Sequence, residues 1–154
     1  MNTAARLSRQ GRHLLQLGVV LLLFTAFQGF AIPYFAVPLL GLSVHRLSTL
    51  EAVLLLPMGL LWSRLNLGPV GSRTAFWLLA YSALAIIAAY LMAAFWGAGD
   101  SVIRLAARTG HGSAVQEAAI SLVAYSAAPT GIIAFALILW GLRGNGLSGD
   151  GAGA

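Results

Sequence analysis

Leu14-Leu-Gln-Leu-Gly-Val-Val-Leu-Leu-Leu-Phe-Thr-Ala-Phe27 follows Arg6, Arg9 and Arg12, and the reading of this stretch decides the architecture. Basic residues before an apolar run suit either a removable secretory leader or a membrane span. The apolar character continues to about residue 36, beyond the roughly 7–15 residues of a leader core, and no clear small-x-small cleavage site follows. The segment is therefore expected to persist as a first transmembrane helix.

The rest of the chain agrees with a membrane setting. Its 154 residues are 59% hydrophobic and 8% charged, with a mean hydropathy of +0.86, whereas a soluble domain carries about 25% charged residues. A helix needs about 20 apolar residues to cross a hydrocarbon core of about 30 Å. Four stretches qualify, at about 13–36, 43–63, 74–97 and 115–142. The expected fold is all-α, a four-transmembrane-helix bundle over residues 1–143, followed by a flexible Gly-rich tail at 144–154. The connections are a Pro and Gly segment from Ile32-Pro33 to Gly41, a short turn from Asn66 to Ser72, and a longer polar loop from Gly97 to Ser113.

The net charge is +5 and all nine basic residues are Arg. They flank the apolar runs, where they act as topology signals and headgroup contacts rather than as a nucleic-acid surface. With the N-terminus cytoplasmic, Arg6, Arg9, Arg12, Arg64, Arg73 and Arg143 share one side, and Arg46, Arg104 and Arg108 the other. This bias places both termini in the cytoplasm, as in a bacterial inner membrane. The absence of cysteine excludes disulfides, thiolate metal sites and covalently attached haem.

Few ionisable groups enter the spans, and each is costly there, so each is a candidate for function. His45, at the expected head of the second helix, offers a neutral imidazole suited to a metal or haem iron, or else is an interfacial histidine solvated by headgroups. Glu51 is a lone carboxylate in Leu50-Glu51-Ala-Val-Leu-Leu-Leu-Pro57. It suits a proton shuttle, a hydrogen-bond donor or a cation site, against a structural carboxylate bonded to a neighbouring Ser, Thr or Arg. Six residues turn a helix through 600°, so His45 and Glu51 point about 120° apart and flank a cavity rather than chelate together.

Taking the second helix to start near residue 43, Glu51 lies roughly 10 Å below its head, and Tyr90 lies roughly 10 Å before Gly97 on the next helix. The two are thus expected at similar depth. Tyr90 offers a phenolic proton to a substrate oxygen, or serves as an aromatic-belt residue. Gln116, Glu117, Ser121 and Tyr125 are possible site-lining groups, the last three forming an i, i+4, i+8 stripe expected to face protein. His111 reads as a loop histidine, and Trp62, Trp77, Trp96 and Trp140 as interface anchors. No nucleophile elbow, phosphate-binding loop, dinucleotide fingerprint or zinc-protease motif occurs.

An ordered set of segments carries a family resemblance: Gly41-Leu-Ser-Val-His45, Gly59-Leu-Leu-Trp62-Ser-Arg64-Leu-Asn-Leu, Ala75-Phe-Trp77-Leu-Leu-Ala-Tyr81, Trp96-Gly-Ala-Gly99 and Gln116-Glu117. With these, most of residues 13 to 142 resembles the small four-helix hydroxylaminobenzene mutases and, more distantly, styrene oxide isomerase. The resemblance implies a homotrimer in which a histidine at the position of His45 binds ferric haem b, its iron acting as a redox-neutral Lewis acid. It also implies a catalytic tyrosine at Tyr90. The chain departs from the isomerase in carrying Glu51 where that enzyme has asparagine, and from the mutases in carrying Ile86-Ile87 in place of Asn-Trp.

The function so implied is rearrangement of an aryl hydroxylamine to an aminophenol, with a small aromatic substrate, haem b and the lipid bilayer as partners. A hydroxylaminoarene lyase giving a catechol and ammonia, and an epoxide isomerase giving an aldehyde, are the neighbouring chemistries. A different class, a small proton-coupled multidrug transporter, would use Glu51 alternately for a proton and an organic cation and leave His45 idle. A non-catalytic haem carrier would hold pigment without turnover.

Overall fold

The proline at position 38 starts a helix, because its fixed φ suits the first helical position and its missing N–H has no partner to lose there. In the computed structural model, which describes residues 8–103 and 112–143, this second helix, α2, runs Pro38–Leu61. It therefore begins inside the expected connection, five residues ahead of position 43. Helix α1 spans Arg9–Ala31, opened by Ser8, whose hydroxyl accepts from Gly11 N–H at 3.0 Å. Helix α3 spans Pro69–Trp96, again with proline in its first turn, and ends at Gly97 with φ +64°, a conformation glycine adopts without strain. Helix α4 spans Ala114–Leu142 and starts with a capping box between Ser113 and Gln116. All four are long and apolar enough to cross a membrane. Arg6, Arg104, Arg108, His111 and the 144–154 tail lie outside the described residues.

The helices pack in chain order, α1 on α2, α2 on α3 and α3 on α4. Among the described residues α1 and α4 make little or no contact, so the four-helix unit is an open row rather than a closed ring. Lipid does not drive helices together by the hydrophobic effect, so close packing of small residues and interhelical hydrogen bonds must do so. Gly11, Leu14, Gly18, Leu21, Thr25 and Gln28 are buried along α1 at alternating steps of three and four, a left-handed seam against α2. A methyl group on Gly11 would come within 2.5 Å of the Gly59 carbonyl, and one on Gly59 within 2.7 Å of the Gly11 carbonyl, so the backbones themselves touch. On the other side of the row, Ser82 Oγ of α3 donates to Ala127 O of α4 at 2.9 Å, and Gly131 leaves the space this hydroxyl needs.

At the Arg9 end, Trp62 Nε1 is shared between Gln10 Oε1 at 2.9 Å and Ser72 Oγ at 3.1 Å, while Ser72 donates to Gln10 at 2.6 Å. Trp62 is only 3% exposed. It is thus a tie between helices and not the interface anchor expected, because its indole N–H finds two acceptors inside. Trp77, Trp96 and Trp140 do lie exposed on the outer surface, as interface residues would.

Candidate functional site

His45 sits two turns inside α2, because that helix starts at Pro38, and it is half-buried on the flank facing α1. Gly29 of α1 makes room for its ring: a methyl group there would lie 3.3 Å from Cε1 and 3.4 Å from Nδ1. Nδ1 is buried with no hydrogen-bond partner. Nε2 is absent from the buried unpartnered atoms and has no hydrogen bond among the described residues, so it is not fully enclosed. Neighbouring hydroxyls are committed elsewhere, with Thr49 donating to His45 O at 2.8 Å and Ser48 to Val44 O at 2.8 Å.

Two buried polar residues of α1 escaped the sequence reading. Thr25 Oγ1 donates to Ser48 Oγ at 2.8 Å across the seam. Gln28 Nε2 donates to Gly41 O at 2.8 Å, and its Oε1 is buried without a partner. Both fall on the heptad line begun by Gly11, Leu14, Gly18 and Leu21, which is the signal that could have found them.

Glu51 lies on a different row of α2, with Leu40, Val44, Leu47, Leu55 and Met58, all buried or packed against the core. It is half-buried and has no hydrogen bond or ion pair among the described residues. The Ser, Thr or Arg partner of a purely structural carboxylate is therefore missing there. Tyr90 is half-buried on α3, packed against the same core, and its hydroxyl likewise has no partner among the described residues.

The expected equal depth of Glu51 and Tyr90 does not hold. Val37 N–H donates to Ala94 O at 3.3 Å and sets the register of the antiparallel α2 and α3. Four residues in from Ala94, Tyr90 is level with about residue 41, one turn from His45, whereas Glu51 lies ~15 Å deeper at 1.5 Å per residue. The early start of α2 at Pro38 is the cause. Side chains lean towards the N-terminus of their own helix, so in this antiparallel pair Glu51 and Tyr90 lean towards one another and narrow the gap.

The polar groups at the head of α4 are occupied. Glu117 Oε1 accepts from Gly99 N–H at 2.7 Å and Gly112 N–H at 3.2 Å, and Oε2 from Ser101 at 3.4 Å. Gln116 Oε1 accepts from Ser113 N–H at 2.8 Å. Ser121 Oγ lies 3.3 Å from Ser101 Oγ. Tyr125 is 66% exposed, so the stripe turns outward rather than facing protein, because each i+4 step drifts by about 40°. Among the described residues no group of three or more acidic or histidine side chains converges as a metal ligand set.

A family model described as styrene oxide isomerase matches residues 10–143. Hydroxylaminobenzene mutase HabB of Ectopseudomonas oleovorans is 40% identical over 132 residues, covering 86% of this chain and 80% of that protein. Hydroxylaminobenzene mutase HabA of the same organism is 30% identical over 125 residues, covering 81% of this chain and 93% of that protein. No solved structure gives a significant match.

Proposed function

The chain belongs to the styrene oxide isomerase family, and from that premise we propose that it is a membrane isomerase that rearranges an aryl hydroxylamine to an aminophenol with haem b. The reaction class follows the mutase relatives, and one structural observation supports the cofactor. The His45 imidazole lies edge-on to a glycine, with Nδ1 buried and Nε2 not fully enclosed. That arrangement fits a residue that would hold haem iron, which needs one free imidazole nitrogen and no further protein donor. The Gly29 cradle that a methyl group would crowd is part of the fit.

Haem b held by His45 would supply a redox-neutral Lewis acid for the substrate oxygen. In the reaction the N–O bond breaks with its electron pair leaving on oxygen, positive charge spreads from nitrogen into the ring, the oxygen returns at a ring carbon, and the displaced ring proton is replaced by one on nitrogen. Tyr90, one turn from the level of His45, donates a hydrogen bond to the migrating oxygen. Glu51, deeper in the membrane, stabilises positive charge on the ring when ionised, or assists departure of the oxygen when protonated. Leu47, Leu54, Ile87 and Leu91 belong to the same apolar core as Tyr90, and surroundings poor in water would favour return of the oxygen over hydrolytic loss of ammonia.

The working unit is a homotrimer in the bacterial inner membrane with both termini in the cytoplasm. The open row of helices supports assembly, since a group held on its flank by one chain would need walls from another. Arg9, Arg12, Arg64, Arg73 and Arg143 at one end of the row, against Arg46 at the other, support the orientation.

Detergent-purified protein supplied with phenylhydroxylamine is expected to show a Soret band and to yield aminophenol. Catechol with ammonia as the product would instead assign the lyase chemistry. A protein that folds with its His45 intact, binds no haem and turns over no hydroxylamine would overturn the proposal.

A further inference from the structure

We propose that Gln28 is a positioning residue that sets the tautomer of His45, accepting the Nδ1 proton on its amide oxygen so that the lone pair stays on Nε2. The proposal deepens the reading of His45 as an iron ligand and rests on it for its purpose. Its physical basis is separate. Among the described residues two buried side-chain atoms lack a hydrogen-bond partner, Gln28 Oε1 and His45 Nδ1. One can only accept, and the other donates in one of its two neutral tautomers.

Both atoms belong to the same stretch of the α1–α2 seam. Gln28 precedes Gly29, whose Cα faces the imidazole edge carrying Nδ1 and Cε1. Its amide nitrogen bonds to Gly41 O, one helical turn before His45. That bond fixes which way the amide points, since a carbonyl accepts and the NH2 must therefore face it, leaving Oε1 directed elsewhere in the seam. The hydroxyls nearby already have partners: Thr25 with Ser48, Ser48 with Val44 O and Thr49 with His45 O. Gln28 Oε1 is the buried side-chain acceptor that has none among the described residues.

A neutral imidazole carries one N–H and one lone pair. For Nε2 to bind a metal, Nδ1 must carry the proton, and ligating histidines commonly donate that proton to an oxygen that fixes the ring. The two atoms are not bonded to one another in the structure, so Gln28 would meet this requirement from the neighbouring helix through a side-chain rotation or across one water. The α1–α2 seam then both packs the pair and presets the ligand.

The test is ring-nitrogen NMR on full-length protein labelled with 15N-histidine and produced haem-free, with His45 assigned among the chain's three histidines by His45→Ala. The expected wild-type state is Nδ1–H with a bare Nε2. Gln28→Met should shift His45 towards the Nε2–H form, while Thr25→Val, which removes a neighbouring seam bond, should leave it unchanged. After haem loading, Gln28→Met should release haem to a scavenger on the order of tenfold faster than wild type, the scale of outer-shell effects on ligand affinity. A wild-type His45 in the Nε2–H form overturns the proposal whether or not the variants fold, as does an unchanged tautomer in folded Gln28→Met. A wild-type Nδ1–H tautomer in a protein that never binds haem refutes the haem reading alone and leaves the Gln28–His45 pair standing.

Discussion

Two regions of this molecule carry carboxylates or imidazoles at membrane depth or its margin, and they treat them in opposite ways. At the head of α4, Glu117 collects two backbone N–H groups and a hydroxyl, and it closes the connection around Gly99, whose φ of +98° favours glycine. Along α2 and α3, Glu51 and Tyr90 have no partner among the described residues, and His45 has a buried Nδ1 with none. A polar group in an apolar setting is costly unless bonded, so the first arrangement explains itself as structure. The second leaves an uncompensated cost that a bound ligand or substrate would remove. Polarity alone therefore does not mark a site here; unspent hydrogen-bonding capacity does.

The contrast can be broken by substitution. The largest effect is expected at His45: His45→Ala should abolish the Soret band and lower turnover by at least about 1000-fold, since the Lewis acid goes with it. Absorbance and product yield on one preparation check this, and full activity without haem would remove His45 from the site.

Next comes Gly29. Gly29→Leu should reduce haem retention and activity by roughly 100-fold, because the added side chain occupies the place of the imidazole. Gly18→Leu, on the same seam but away from His45, should instead appear mainly as lost thermal stability, since it presses on Leu56 and Ala52. Equal behaviour of the two variants would mean that the seam acts only as packing.

The two glutamates then separate. Glu51→Gln should lower kcat about 10- to 100-fold with little change in unfolding temperature, as no bond is lost. Glu117→Gln should weaken charge-assisted bonds to Gly99 and Gly112 and destabilise the fold by about 1–3 kcal/mol. A stability loss for Glu51→Gln as large as that for Glu117→Gln would erase the distinction. The smallest effect is expected for Tyr90→Phe, about a tenfold loss in kcat with haem binding intact, measured by steady-state kinetics and the Soret extinction.

Much of the architecture was legible in the chain. The four apolar stretches, the arginines between them and the proline and glycine punctuation are local signals that bilayer thickness converts into helices. The start of α2 is not legible from the sequence alone, because Pro38 sits in a proline and glycine segment that suits a connection, although proline in the first turn opens a helix as readily as it interrupts one. The five-residue difference sets the depth of Glu51. Trp62 was read as an anchor because tryptophans near span ends commonly lie in the interface, and only its contacts with Gln10 and Ser72 reveal the inward turn. Thr25 and Gln28 were overlooked because a polar residue within a long apolar run shows its importance only when the facing helix is known.

The sequence by itself determined that this chain has four stretches long and apolar enough to cross a membrane, which family it resembles, and which few polar residues lie within those stretches. Those are properties of hydropathy, length and residue identity along one dimension. The tertiary structure decided which of these groups are satisfied and which are not, that Tyr90 lies within one turn of the level of His45 while Glu51 lies deeper, and that Gln28 borders the His45 side of the seam. Such facts depend on the register and rotation of one helix against the next. These are set by contacts of small residues such as Gly11 with Gly59 and by bonds such as Thr25 to Ser48, between positions far apart in the chain.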